Sequence, residues 1–182
     1  VNSLAFSPDG KTLAVGTYRT VLLCEVASGK ILHTWAGHAD AVRSLAFRPD
    51  GKLLAAGGGT PGAFGEVRIW SVADGREARA FGDHIDAVHG VAFSPDGARL
   101  ATVSGDKMVK TWDPDAGKLV QTLRDHSDAV LAVAFHPGGR YLATCGADRS
   151  VKVWDLQSGK RIYAIGASEE TVADVAFSPS GA

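Results

Sequence analysis

Hydrophobic and polar positions along this chain recur as a block. The stretch Val1-Asn2-Ser3-Leu4-Ala5-Phe6-Ser7-Pro8-Asp9-Gly10 returns in altered form from Val42, Val88, Val130 and Val172, at near-equal intervals of which the one from Val42 to Val88 is longest. Each copy has Ala-Phe at its fifth and sixth places, then a proline and, two places on, a glycine. The opening Val precedes Leu13, Leu54, Leu100 and Leu142 by one constant spacing, and each of these leucines is followed by Ala. Cys24, Trp70, Trp112 and Trp154 likewise precede the next opening Val by one constant spacing. Only the stretch between those two landmarks varies in length, being shortest from Leu13 to Cys24 and longest from Leu54 to Trp70. A single loop free to change length is expected to face solvent or a partner.

Within a block the period is that of strands. Ser7-Pro8-Asp9-Gly10 puts Pro and Gly where a tight turn wants a preset and then a positive φ. Val21-Leu22-Leu23, Val67-Arg68-Ile69, Val109-Lys110-Thr111 and Val151-Lys152-Val153 follow, and the last three alternate apolar and cationic residues like a half-buried strand. The cations are expected on a solvated face. Gly29, Gly75, Gly117 and Gly159 mark a further turn, and runs such as Ile31–Trp35 and Leu119–Leu123 supply a fourth strand. No segment has a convincing helical period. One small twisted sheet cannot bury both of its faces, so the copies must stack.

Trp112-Asp113 and Trp154-Asp155 close the third strand of their blocks, and Gly37-His38 lies between a fourth strand and the next block. On these residues the chain resembles the WD-repeat family of β-propellers over essentially its whole length. The resemblance implies an all-β propeller of four-stranded antiparallel blades. Blade 1 spans 1–41, blade 2 spans 42–87 with an insertion at 60–65, blade 3 spans 88–129 and blade 4 spans 130–171. Residues 172–182 then begin a fifth blade, and the whole is expected to be part of a ring of about seven.

The same resemblance implies buried hydrogen-bonded tetrads: His84, Thr102, Asp106 and Trp112 in blade 3, and His126, Thr144, Asp148 and Trp154 in blade 4. Carboxylate, imidazole, hydroxyl and indole can satisfy one another. A Ser/Thr-His-Asp triad would draw on similar groups, but a set copied once per blade answers a need of every blade, and no catalytic residue is expected. Blade 2 keeps His38 and Trp70 but has Ala56 at the hydroxyl place, and blade 1 has Val15 and Cys24 at the hydroxyl and tryptophan places. Both are expected to lean on apolar packing. Ser168 takes the next histidine place.

Composition narrows the partners. The 182 residues are 45% hydrophobic, with 22 glycines and a net charge of −1, which suits one globular domain rich in turns. No run of like charges exceeds two, so a nucleic-acid partner is not expected. No apolar stretch reaches spanning length, so neither is a membrane. Cys24 and Cys145 occupy non-equivalent places and are read as small buried apolar side chains, with a reducing, cytoplasmic location expected. Gly57-Gly58-Gly59-Thr60-Pro61-Gly62 has dinucleotide-loop spacing but no helix after it, and is read as a flexible loop. Gly10-Lys11-Thr12 lacks the glycine of a phosphate loop, since Ala5 stands there. The pairs His38/Asp40, His84/Asp86 and His126/Asp128 fall one blade apart, so no metal or cofactor is expected.

In the family the loops before strand one and after strand two share the face called the top. That position nominates Arg43, His89 and Leu131, with Ala173, just after an opening Val, and Ala41, Ala87, Ala129 and Thr171 just before it. The variable loop adds Tyr18, Arg19 and Phe64. The expected function is a non-catalytic protein-interaction scaffold binding a protein or peptide on that face. A sensor module of a longer signalling protein carrying a kinase, protease or nucleotidase domain is the alternative, and an enzyme using the channel is a third. An incomplete ring would also invite self-association.

Overall fold

Proline and glycine set the corners of the molecule. A computed structural model describes residues 1–166 and 169–181. In the turn that opens each block, Gly10 donates its N–H to the Ser7 carbonyl at 2.9 Å with φ at +68°, and Asp9 accepts from Ser7 Oγ and Lys11 N at 2.7 and 3.0 Å. Asp50 and Asp96 serve the same turn in the next two blocks.

Sixteen strands follow among the described residues. The first sheet holds β1 Ser3–Phe6, β2 Thr12–Gly16, β3 Tyr18–Glu25 and β4 Ile31–Ala41. The second holds β5 Ser44–Phe47, β6 Leu53–Thr60, β7 Phe64–Ser71 and β8 Glu77–Phe81. The third holds β9 Val88–Phe93, β10 Leu100–Ser104, β11 Met108–Asp113 and β12 Lys118–Arg124. The fourth holds β13 Val130–Phe135, β14 Tyr141–Gly146, β15 Val151–Asp155 and β16 Lys160–Ile165. Each sheet pairs its strands antiparallel in chain order. The chain is therefore an all-β arc of four propeller blades.

The cores lie between blades. Ala14, Val21, Leu23 and Trp35 of the first sheet meet Leu45, Leu54, Ala56 and Trp70 of the second. Ala55, Val67 and Ile69 meet Val91, Phe93, Leu100 and Trp112, and Ala101, Val103, Val109 and Leu123 meet Leu142 and Trp154. Central strands such as β10 are consequently buried on both faces, which is why alternation fades there. In every sheet the pairing of the third and fourth strands slips one place beside the landmark, leaving Leu32, Ala78, Val120 and Ile162 as bulges on the outer strand.

Four sequence expectations need correction. The glycine run at 57–62 is no flexible loop. Gly57, Gly58 and Gly59 lie in β6, and Thr60 pairs with Phe64 across a tight Pro61-Gly62-Ala63 turn. The glycines are small because the neighbouring blade approaches: a Cβ on Gly57 would stand 2.7 Å from Val88 and Val91, and one on Gly58 would stand 2.8 Å from the Ala41 carbonyl. Two of the three strand-three cations are not solvated, since Lys110 and Lys152 are buried and held by loop aspartates, while Arg68 is half-buried and paired with Glu66 and Glu77. Cys145 is buried, but Cys24 is only half-buried, because no blade covers its face of the first sheet. Residues 172–177 form no strand. They run alongside the fourth sheet, with Val172 N bonded to Gly146 O at 3.2 Å and Phe177 packed edge-on to His136. A first strand needs a second to pair with, and none follows among the described residues. Ser168 lies outside the described residues.

Candidate functional site

Two groups of candidate side chains were expected from the sequence, and the fold treats them differently. The first lies inside the blades. His84 Nδ1 is 2.8 Å from Asp106 Oδ2, His84 Nε2 is 2.8 Å from Thr102 Oγ1, and Trp112 Nε1 donates to the same hydroxyl at 2.9 Å. His126, Asp148, Thr144 and Trp154 repeat these distances in the fourth sheet. Indole N–H is only a donor, so one assignment satisfies the whole row: Trp donates to Thr, Thr to Nε2, and Nδ1–H to the carboxylate. Each carboxylate also caps backbone: Asp106 accepts from Ile85 N and Met108 N, and Asp148 from Ser127 N and Ser150 N.

The electrostatics follow the geometry. Burial pushes the His126 imidazole below the ordinary histidine range, and Asp148 only partly opposes it, so His126 is neutral near pH 7. Burial works to raise the Asp106 carboxyl, but hydrogen bonds from His84 and from backbone amides outweigh it and hold the group low. Asp148 is held low in the same way, with Ser150 adding a further bond.

The second blade solves the same problem with other residues. Glu66, from the middle of β7, accepts from His38 Nδ1 at 3.1 Å and from Ala39 N at 2.6 Å. Against burial, these bonds hold its carboxyl below the usual range. His38 Nε2, which would meet a threonine in the later blades, is buried without a partner beside Ala56. Its ring sits 5.4 Å from Trp70, against 6.5 and 6.3 Å for the equivalent pairs. Trp35, which sequence reasoning did not single out, stacks on Trp70 at 5.3 Å and donates Nε1–H to Gly75 O at 2.7 Å. The His-x-Asp aspartates turn back on their own backbone, as Asp40 does to Ala41 N and Asp128 to Ala129 N.

The second group lies where the innermost strands begin. Arg43, His89 and Leu131 line one open depression of about 460 Å³, together with Val1 and Asn2. Asn2, Arg43, His89 and Leu131 each follow an opening Val, so one residue from each blade arrives at the same place. Asn2 was not nominated, although the rule that found the others applies to it. Burial and then the charge of Arg43 push the His89 imidazole down, with Asp86 opposing. Tyr18, Arg19 and Phe64 lie outside this depression. Tyr18 is exposed, Arg19 reaches the His38 carbonyl at 3.2 Å from a positive φ, and Phe64 borders a separate groove with Phe81 and His84. Ala87, expected on the rim, is wholly buried, because β9 begins beneath the neighbouring hairpin.

A family model, "WD domain, G-beta repeat", matches residues 1–23, 29–71, 75–113 and 117–155. No curated protein matches. Among solved structures, one described as "Structure of U3-55K" superposes with a TM-score of 0.83 at 26% identity, covering 94% of this chain and 53% of that one. Another, "Crystal structure of RRP9 WD40 repeats", gives a TM-score of 0.84 at 26% identity, covering 94% of this chain and 52% of that one. The chain thus spans about half the length of the solved structures it resembles.

Proposed function

Because the chain belongs to the WD40 family of G-beta repeat proteins, we propose that it is a non-catalytic scaffold that holds a protein or peptide partner on the face carrying Arg43, His89 and Leu131. One observation carries the reading: four residues at the same place in four blades converge on one open depression. The tetrads, by contrast, are engaged within the fold. In the third and fourth blades Trp, Thr, His and Asp all bond one another beneath the surface. A group so enclosed holds a blade together and offers nothing to a substrate.

The test is affinity capture from an extract of the source organism. Wild type is compared with a paired Arg43→Ala and Leu131→Asp variant, and with Lys52→Glu, which alters an exposed turn at the opposite end of the strands. Partners held by wild type and by the Lys52 variant but lost from the paired variant support the reading. Equal capture by all three rejects it.

A second reading has its own support. Leu4 and Phe6 on one end sheet, and Tyr163 and Ile165 on the other, are 58, 62, 66 and 66% exposed. In the interior blades the counterparts of Leu4, Phe6 and Ile165, such as Leu45, Phe93 and Leu123, are buried. We propose that these end faces associate, with further blades of a longer signalling polypeptide or with another copy of this chain.

A further inference from the structure

The depression at the start of the inner strands carries a positive charge that the fold leaves unanswered. Arg48, Arg68, Arg140 and Arg161 are each paired with carboxylates. Arg43 has neither an ion pair nor a side-chain hydrogen bond among the described residues, and its Nε is shut off from solvent without a partner. Leaving part of a guanidinium dehydrated and unpaired is costly, and a carboxylate brought alongside would offset that cost.

The rest of the lining agrees in sign. Val1, Asn2, His89 and Leu131 complete it, and none is acidic. His89, held neutral by burial and by the charge beside it, contributes a donor and an acceptor without adding charge. Asp86, whose charge opposes that of Arg43 at His89, is already committed to Ala87 N and Gly62 N at 2.7 and 2.8 Å. A volume of about 460 Å³ exceeds what a lone carboxylate needs and leaves room for an apolar neighbour against Leu131.

We propose that this depression seats an aspartate or glutamate side chain of a bound peptide, with the Arg43 guanidinium pairing with the carboxylate, Asn2 and His89 offering further hydrogen bonds, and Leu131 packing against the adjoining residue. This rests on the partner-face reading above and adds the chemistry of the ligand. Arginine suits the role through its planar fork, which matches a carboxylate better than a lysine ammonium does.

The experiment selects a displayed library of random short peptides on the wild-type chain and measures recovered peptides by fluorescence anisotropy. The expected peptides carry Asp or Glu at one recurrent position next to an apolar residue. Changing that residue to its amide should weaken binding about tenfold or more, Arg43→Gln should do the same, and the two changes together should add little further loss. Arg43→Lys should fall between. Thermal unfolding of each variant checks that the fold is intact, and the peptide-side change reads the same pairing on unaltered protein. Recovered peptides that are neutral or basic, ignore Arg43→Gln and yet fail on Leu131→Asp overturn the acidic ligand while leaving the face in place. Peptides indifferent to both substitutions overturn the face as well, and recovery of no binder overturns the proposal.

Discussion

At position 56 a methyl group stands where the third and fourth blades have a threonine hydroxyl. The consequence is visible in the adjoining ring: His38 keeps a buried, unbonded Nε2 and has drawn about 1 Å closer to its tryptophan than its counterparts. Ala56→Thr should supply the missing donor and raise stability by roughly 0.5–1.5 kcal/mol, less the work of moving His38 back. A urea midpoint below wild type would show that the closed gap does not readmit a hydroxyl. Trp112→Ala should cost roughly 3–5 kcal/mol, since it removes a buried ring and one of the two hydrogen bonds at the Thr102 hydroxyl. An unchanged midpoint would contradict that role.

The pH dependence has a definite sign. His126 and His89 have folded values below the ordinary 6.5, so their contribution is complete above pH 6.5 and is lost as pH falls from there through the lower folded values. Asp106 and Asp148 lie below the ordinary 3.8, so theirs is lost further down, below pH 3.8. Thermal midpoints should therefore be level above pH 6.5 and decline in two stages on acidification. A midpoint that rises with mild acid would contradict this. The tetrad residues were legible in the sequence because each recurs at fixed spacing in two blades and the family resemblance gives the set its role. Glu66 was not, because it leaves the turn for mid-strand, and a lone strand glutamate looks like any surface charge. Lys110 and Lys152 misled for a related reason: alternation separates two faces, but it does not say that a loop aspartate will close over one of them.

At the scale of strands and turns, most of what positions the depression was readable from landmarks. Pro and Gly fixed the corners, and the constant spacings fixed which strands are equivalent. The insertion was harder, since consecutive glycines carry no side-chain pattern and only their pairing with β7, out to Thr60 and Phe64, shows that they form a strand. Within that hairpin Gly59 and Gly62 make a contrast. Gly59 has φ at +112°, and a Cβ there would meet the Phe64 carbonyl at 2.3 Å, whereas Gly62 has φ at +70° with open space around it. Gly59→Ala should lower stability by about 1–3 kcal/mol and Gly62→Ala by roughly 1 kcal/mol. Equal denaturation midpoints for the two variants would contradict the packing account.

At the scale of the whole molecule, three joints between blades are filled and two end faces are bare. The sequence implied this arc through its repeat count, but it gave no sign that residues 172–177 would lie unpaired, because pairing depends on a strand that is not beside them. Sedimentation at rising concentration should detect self-association through the end faces, and Phe6→Asp and Ile165→Asp should each weaken it. A species that stays monomeric at all concentrations would remove another copy of this chain as the occupant, leaving further blades as the reading.

The bulges at Leu32, Ala78, Val120 and Ile162 bear on how such a molecule avoids the wrong company. Each outer strand presents unpaired amides to solvent, and a straight one would be an open template for another chain's backbone. A single-residue kink at the same height on every blade spoils that template around the perimeter. Deleting Val120 would straighten one rim strand, and the lateral stacking it should then permit, visible as fibrillar aggregates, is what the kinks hold off.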